Sequence, residues 1–355
     1  MKKLVFLWDE IIAACFGVKD SETPGQANQP VSEDLVGTVR LLRQKYRLEI
    51  LIQPNDDQPA ALEAALQQQG LVGYFDGIHT APPGRSGDKN AVDFPEAAER
   101  LGLPPGEIGL VSGSFSGGVI DANLAGLKTV WISPDGAAVP GHIPIQNVEA
   151  VSLQALPGAL MDQLSLPDIQ TCRAWYQREF FSAALWMHAQ MVAMTAYQLA
   201  VWLRTAGEMV DTLLTQRGAL LHDLAKLSAR QSALSGDPIS HGELAAHRLE
   251  GYGQPVLAEI ARRHMLFCVL EEETKPQTWE QTLVYYADKL VEGAQITGYQ
   301  VRLAALQARY PGIEARLAQT RAHIEAMQSS ICRILDCNSD RLMAQLRAAA
   351  NGTES

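Results

Sequence analysis

Short apolar runs of β type alternate along the first 135 residues with stretches whose apolar positions recur every three or four residues. Residues 3–8, 48–53, 108–112 and 129–132 are expected as strands, and residues 32–46, 60–69, 94–101 and 119–125 as helices. Alternation at that spacing predicts an α/β unit, a Rossmann-like parallel sheet with helices on both faces. From about Asp168 onward the helical period takes over, in stretches rich in Ala, Leu, Gln and Arg, so the second half is expected to be all-α. Residues 134–167 are rich in Pro, Gly and small side chains and mark the boundary. The expected division is therefore an α/β domain at 1–150, a linker at 151–170 and a helical domain at 171–350.

Composition narrows the setting. The chain has 355 residues, 47% hydrophobic and 19% charged, enough for two cores. Its net charge of −11 argues against a broad electrostatic grip on nucleic acid or on an anionic membrane surface. Residues 185–203 carry no formal charge and match a membrane span in length, but His188, Gln190, Tyr197 and Gln198 within them point to a buried core helix. The five cysteines are odd in number and scattered, without a CxxC, which fits a reducing, cytoplasmic setting. Two early acids, Asp9 and Glu10, interrupt the first apolar run too soon for a signal peptide.

The chemistry concentrates in the helical half. In Leu-Leu-His222-Asp223-Leu-Ala-Lys226 an imidazole and a carboxylate stand side by side in an apolar segment, expected as one helix over 218–226. Neighbours on a helix diverge by about 100°, so one ion cannot take both head-on, whereas an aspartate reaching sideways can bridge two. His188 shares its helix with Val192, Ala196 and Leu199 and should point inward. Asp288 follows the apolar residues 282–287, where an unpaired carboxylate is costly to bury. His241 and His264 fall between them in order, and mixed imidazole and carboxylate donors suit iron, manganese or zinc better than calcium. His247 and His323 are expected at the surface.

The order His188, His222-Asp223, His241, His264, Asp288 resembles that of HD-domain proteins, specifically the dinuclear kind. The resemblance implies that His188, His222, Asp223 and Asp288 hold a first metal, and that His241 and His264 hold a second, with Asp223 bridging. It also implies that Lys226, closing the HDxxK pattern, contacts a substrate anion; Arg263, beside His264, is a second candidate for that role or else for a surface salt bridge. The stretch around Tyr285-Tyr-Ala-Asp288-Lys-Leu-Val-Glu is most similar to the YqeK-type phosphohydrolases, which act on dinucleoside polyphosphates. Arg263-His264-Met265-Leu266 departs from that type, which has His-Thr-Thr-Gly there.

Residues 3–133 resemble the haloacid dehalogenase superfamily, through residues 89–114 and the segment from Asp121 to Ile132. The chemistry of that family does not carry over. Its Asp-x-Asp nucleophile position falls on Leu7, or on Trp8 in a shifted register, leaving Asp9 as the second acid. Its Ser/Thr position reads Gln53, and its magnesium acids read Gly113 and Gly118. Lys89 matches its phosphate-contacting lysine, which without nucleophile or magnesium ligands is no catalyst. A catalytically inactive domain is expected, serving packing, homodimer formation or ligand sensing.

A small anionic phosphate compound, such as a nucleotide, is thus the expected substrate of a dinuclear phosphohydrolase, with no nucleic acid or membrane partner. Mixed-valent di-iron oxygenases that cleave C–C or C–P bonds share the six-ligand order and stay open as an alternative, as does a non-catalytic ligand sensor.

Overall fold

A computed structural model describes residues 1–16, 33–54, 59–84, 91–133, 144–235 and 239–351. The chain forms two compact units, Met1–Asp135 with Ile145–Ser165 and Gly136–Pro144 with Leu166–Ser355. Lys89 lies outside the described residues.

The first unit is a six-stranded, all-parallel sheet in the order β3-β2-β1-β4-β5-β6. The strands are β1 (Lys3–Trp8), β2 (Arg47–Ile52), β3 (Gly77–Thr80), β4 (Ile108–Ser112), β5 (Lys128–Ile132) and β6 (Val148–Ala150). Around them lie α1 (Glu10–Cys15), α2 (Glu33–Lys45), α3 (Pro59–Gln68), α4 (Phe94–Arg100), α5 (Asp121–Leu124) and α6 (Leu156–Gln163). Successive residues of a strand face opposite sides of a sheet. Leu4 and Phe6 accordingly enter one core, with Ile50, Val130 and Leu42, while Val5 and Leu7 enter the other, with Leu51, Phe94 and Ala98. Apolar side chains on both faces are why β1 and β4 read as unbroken apolar runs rather than as alternating ones.

Three sequence expectations change here. Residues 151–165, expected within the linker, belong to the first unit, because Leu153, Leu156 and Leu160 close its core through α6. Strands β3 and β6 were not foreseen: Gly-Ile-His-Thr and Val-Glu-Ala are too short to carry a readable alternation. The helix expected over 119–125 is split into a π-helical turn at Phe115–Ile120, which holds Gly117 and Gly118, and the short α5.

The second unit is helical: α7 (Ile169–Arg178), α8 (Ala183–Thr205), α9 (Thr212–Leu221), α10 (Lys226–Leu234), α11 (His241–Gly251), α12 (Pro255–Arg262), α13 (Trp279–Leu290), α14 (Tyr299–Arg309), α15 (Glu314–Ile334) and α16 (Ser339–Ala350). A two-residue hairpin, β7 (Val291–Glu292) with β8 (Gln295–Ile296), follows α13. Helices α8, α9 and α13 pack on one another, and α12 packs on α9 and α11. Helix α8, uncharged from residue 185 to 203, is a core helix, with His188, Val192, Ala196, Leu199 and Leu203 buried. No helix among the described residues is long and apolar enough to cross a membrane.

The helix expected through Lys226 ends at Leu221, and Lys226 opens α10 after a tight turn at 222–225. A lysine at a helix start is unfavourable to the helix dipole, so its place must be explained by a local partner.

Helix α9 approaches α12 at Gly218, where an added Cβ would lie 2.6 Å from Ile260 Cδ1 and 2.9 Å from its Cγ2. Alanine is the better helix former by about 1 kcal/mol, whereas overpacking costs about 1–3 kcal/mol. Gly218→Ala should therefore lower stability in a denaturant titration, and Gly218→Ala with Ile260→Val should recover most of the loss. A more stable single variant would show that the two helices can slide apart freely.

Candidate metal centre

Five segments of the helical unit converge on one buried cluster. His188 comes from the middle of α8, His222 and Asp223 from the turn after α9, His241 from the first residue of α11, His264 from just beyond α12, and Asp288 from α13. All but His241 are buried. Ser240 caps α11 by accepting from the Glu243 amide at 3.1 Å, which places His241 at the helix entrance.

The imidazoles are oriented from behind. His188 Nδ1 lies 2.8 Å from the Gly293 carbonyl, His222 Nδ1 2.6 Å from the Ala219 carbonyl, and His264 Nδ1 2.5 Å from the Ala261 carbonyl. A carbonyl can only accept, so each Nδ1 carries a proton and each Nε2 is the nitrogen turned toward the cluster, the orientation that metal-ligating histidines use.

Asp223 divides its two oxygens. Oδ2 lies 3.4 Å from His222 Nε2 and 3.9 Å from His188 Nε2, on the side where Asp288 Oδ1 lies 3.1 Å from His188 Nε2 and 3.7 Å from His222 Nε2. Oδ1 lies 3.1 Å from His241 Nε2 and 3.5 Å from His264 Nε2, and these two nitrogens are 3.1 Å apart. Donors bound to one ion at about 2.1 Å stand roughly 3.0–3.4 Å apart. His222 Nε2 and Asp223 Oδ1 are buried without a hydrogen bond of acceptable geometry, which a structure tolerates poorly unless something else satisfies them. Two three-residue groups with metal-ligand spacing result, His188–His222–Asp288 and His222–Asp223–His264. The donor set fits a metal centre.

Cations compensate the two acids. Lys226 Nζ lies 2.6 Å from Asp223 Oδ2, which explains why a lysine opens α10. Lys289 Nζ lies 2.5 Å from Asp288 Oδ2 and donates to the His264 carbonyl at 2.9 Å, and Arg302 Nη2 lies 3.6 Å from Asp288 Oδ1. Against the opposing effect of burial, Lys226 and His222 hold the Asp223 carboxyl well below its usual range, and Lys289, His188, His222 and Arg302 do so for Asp288. Burial pulls His222 down but Asp223 and Asp288 outweigh it, raising it to about 9, whereas burial takes His264 down to about 3.

Lys289 and Arg302 were not foreseen. Lys289 could have been found as the charge beside Asp288 in an apolar helix, but Arg302 sits on another helix and no spacing points to it. Arg263 makes the salt bridge expected as one of its two roles, to Glu259 at 3.2 Å, and donates to the carbonyls of Glu273 at 3.0 Å and Lys275 at 2.7 Å. Its guanidinium braces the turn after α12. His247 is exposed and pairs with Glu243 at 3.1 Å, and His323 is exposed.

In the α/β unit, the order 3-2-1-4-5-6 puts the switch point between β1 and β4, where such folds bind ligands. Asp9 follows β1, and its carboxylate reaches the end of β4. Its Oδ1 caps α1 by accepting from the Ile12 amide at 2.8 Å, and its Oδ2 accepts from Ser112 Oγ at 3.0 Å, the Gly113 amide at 2.9 Å and the Ser114 amide at 3.2 Å. Leu7 is buried in the core. A Cβ at Gly113 would lie 2.3 Å from Ile11 Cβ, and one at Gly118 would lie 2.2 Å from Ser112 Oγ. Side chains thus fill the places where acids were absent from the sequence.

Residues 185–292 match the family model of the HD domain, and this chain carries an HD domain in its helical unit. An uncharacterized protein of Methanocaldococcus jannaschii is 33% identical over 119 residues, which is 30% of this chain; the chain spans 66% of that protein's length. Three solved structures are similar at low identity. They are an uncharacterized protein from Listeria monocytogenes serotype 4b (18% identity, 45% of this chain and 97% of that one, TM-score 0.37), a HAD phosphatase from Thermococcus onnurineus (20%, 46% and 99%, 0.32) and a 2-haloacid dehalogenase from Pseudomonas syringae (20%, 37% and 53%, 0.28). The α/β fold of the first unit is established by its own strand order.

Metal binding should displace a proton from His222. Below its pKa of about 9 the imidazolium competes with the ion, so affinity should fall as pH falls, by up to about a hundredfold from pH 9 to pH 7. His264, already neutral, adds nothing to that slope in this range. Calorimetric titration with manganese in buffers of different ionisation enthalpy should show close to one proton released from His222 per chain at neutral pH. Affinity independent of pH would show that His222 takes no part.

Proposed function

We propose that the helical unit is a dinuclear metal-dependent phosphohydrolase acting on a small phosphate ester or nucleotide, and that the α/β unit contributes no catalysis. An HD domain places the chain in a superfamily of metal-dependent hydrolases. The observation that carries the dinuclear reading is the division of Asp223, with one oxygen facing His188, His222 and Asp288 and the other facing His241 and His264. His188, His222, Asp223 and Asp288 would hold one ion, and His241, His264 and Asp223 the other; iron or manganese suits these donors best, with zinc also compatible. Bound there, the ions would supply Lewis acidity toward a phosphoryl oxygen and acidify a water near neutral pH.

The chain's own groups have distinct tasks. The carbonyls of Gly293, Ala219 and Ala261 hold three imidazoles in the metal-ready orientation. Lys289 and Arg302 keep Asp288 ionised within a buried helix. Lys226 is partly exposed at the edge of the cluster, and an ion on Asp223 would free its ammonium for the substrate anion. Arg263 has no part in this scheme.

Elemental analysis of protein purified without chelator should find about two transition-metal ions per chain, and a screen of phosphate compounds with that metal should find a substrate. Oxygen uptake with an organic substrate, in place of phosphate release, would overturn the hydrolase reading in favour of the di-iron oxygenase. Lys226→Ala should reduce kcat/KM about ten- to a thousandfold, the loss of a charge-assisted contact. Metal content and the melting temperature of the metal-loaded protein should stay the same. Unchanged kcat/KM would remove Lys226 from the substrate site.

Separate variants distinguish the two units. Asp9→Asn sets an N–H donor against at least the Ile12 amide and should cost the α/β unit about 1–3 kcal/mol, yet leave turnover at 25 °C unaltered. Asp288→Ala should abolish turnover. Loss of activity in a folded, metal-loaded Asp9→Asn protein would assign catalysis to the first unit.

A further inference from the structure

All five cysteines are free thiols, and the expectation that they are scattered fails at one place. Helix α15 ends at Ile334 with Leu335 as its cap; Asp336 takes a left-handed conformation at φ 49°, and the Cys337 amide donates to the Cys332 carbonyl at 3.0 Å. This six-to-one closure turns the chain back on itself and normally brings two apolar side chains together across the helix end. Here both are cysteines. Because the Cα–C=O angle is bent, that hydrogen bond keeps the two Cα atoms within about 7 Å of each other, and about 7 Å is the ceiling for a disulfide. Burial together with the neighbouring Cys337 pushes the Cys332 thiol up to about 11. Cys332 is packed in the core of the helical unit, whereas Cys337 is partly exposed.

We propose that Cys332 and Cys337 are a site of reversible oxidation that closes a disulfide across the end of α15 when the protein meets a peroxide. Cys337 is the sulfur that solvent reaches. As the thiolate it attacks one peroxide oxygen, the O–O bond breaks, and a sulfenic acid forms as one water leaves. The Cys332 sulfur then attacks the Cys337 sulfur, the S–O bond breaks, and a second water leaves. Two thiols and one hydrogen peroxide thus become one disulfide and two waters; the sulfurs lose two electrons, the peroxide oxygens gain them, and the thiol protons leave in the waters. The turn already holds the two backbones within the reach of a disulfide. This site is independent of the metal cluster and of the function proposed for it.

The test uses the full chain. The reduced protein is treated with hydrogen peroxide, free thiols are blocked by alkylation, and the chain is cut with trypsin, which cleaves at Arg333 between the two cysteines. The expected product is peptide 322–333 joined to peptide 334–341, lighter than their sum by two hydrogen atoms and separated again by dithiothreitol. Cys337→Ser should leave Cys332 reduced under the same dose. Sulfinic or sulfonic acid at Cys337 beside an alkylated Cys332 would overturn the proposal, as would both cysteines recovered unreacted or Cys337 joined to another chain. Circular dichroism of the oxidised wild type should match that of the reduced protein, and linkage found only in unfolded chains would equally overturn it.

Discussion

The carboxylate of Asp223 is the constraint on which the helical unit depends. It is buried, it is ionised, and its two oxygens look toward different histidines. Burying a charge is tolerated only where partners repay the lost hydration. Those partners come from α8, α9, α10, α11 and the segment after α12, so each helix must be placed to within a fraction of an ångström for the same carboxylate. The close approach of α9 and α12 at Gly218, four residues before His222, belongs to that requirement.

Asp288 repeats the problem on α13 with a different solution. Lys289 pairs with the oxygen turned away from the histidines and Arg302 approaches the one they share, and Arg302 is in turn paired with Glu292, which also binds Arg309 nearer the surface. The charge is handed outward along a chain of alternating sign instead of being left in the core. Such a chain lets a carboxylate stay ionised at depth while one of its oxygens faces the imidazoles.

The α/β unit puts an acid at the end of a strand to structural use. Its strand order opens a crevice between β1 and β4, and three donors close on Asp9 there. An acid at the end of β1 is thus retained as a clasp joining two strands and a helix, with Ile11, Ser112 and Leu7 packed where further acids would need room. The fold persists because parallel strands with apolar faces are stable whatever stands at their ends.

Much of this was legible in the chain itself. Alternation of strand and helix, the change to helical period near Asp168, and the order of four histidines and two aspartates follow from side-chain chemistry at fixed spacing, which the backbone periods translate directly. What the tertiary structure decided lies between elements distant in sequence. The assignment of α6 to the first unit depends on which core Leu156 and Leu160 enter. The division of Asp223, the engagement of Arg302 with Asp288 and of Arg263 with the turn after α12, and the meeting of Cys332 with Cys337 depend on directions of side chains and on a left-handed residue at a helix end. Local sequence determines which groups an element carries and roughly which face they occupy. Only packing determines which groups from other elements they meet, because that distance is set by the whole core.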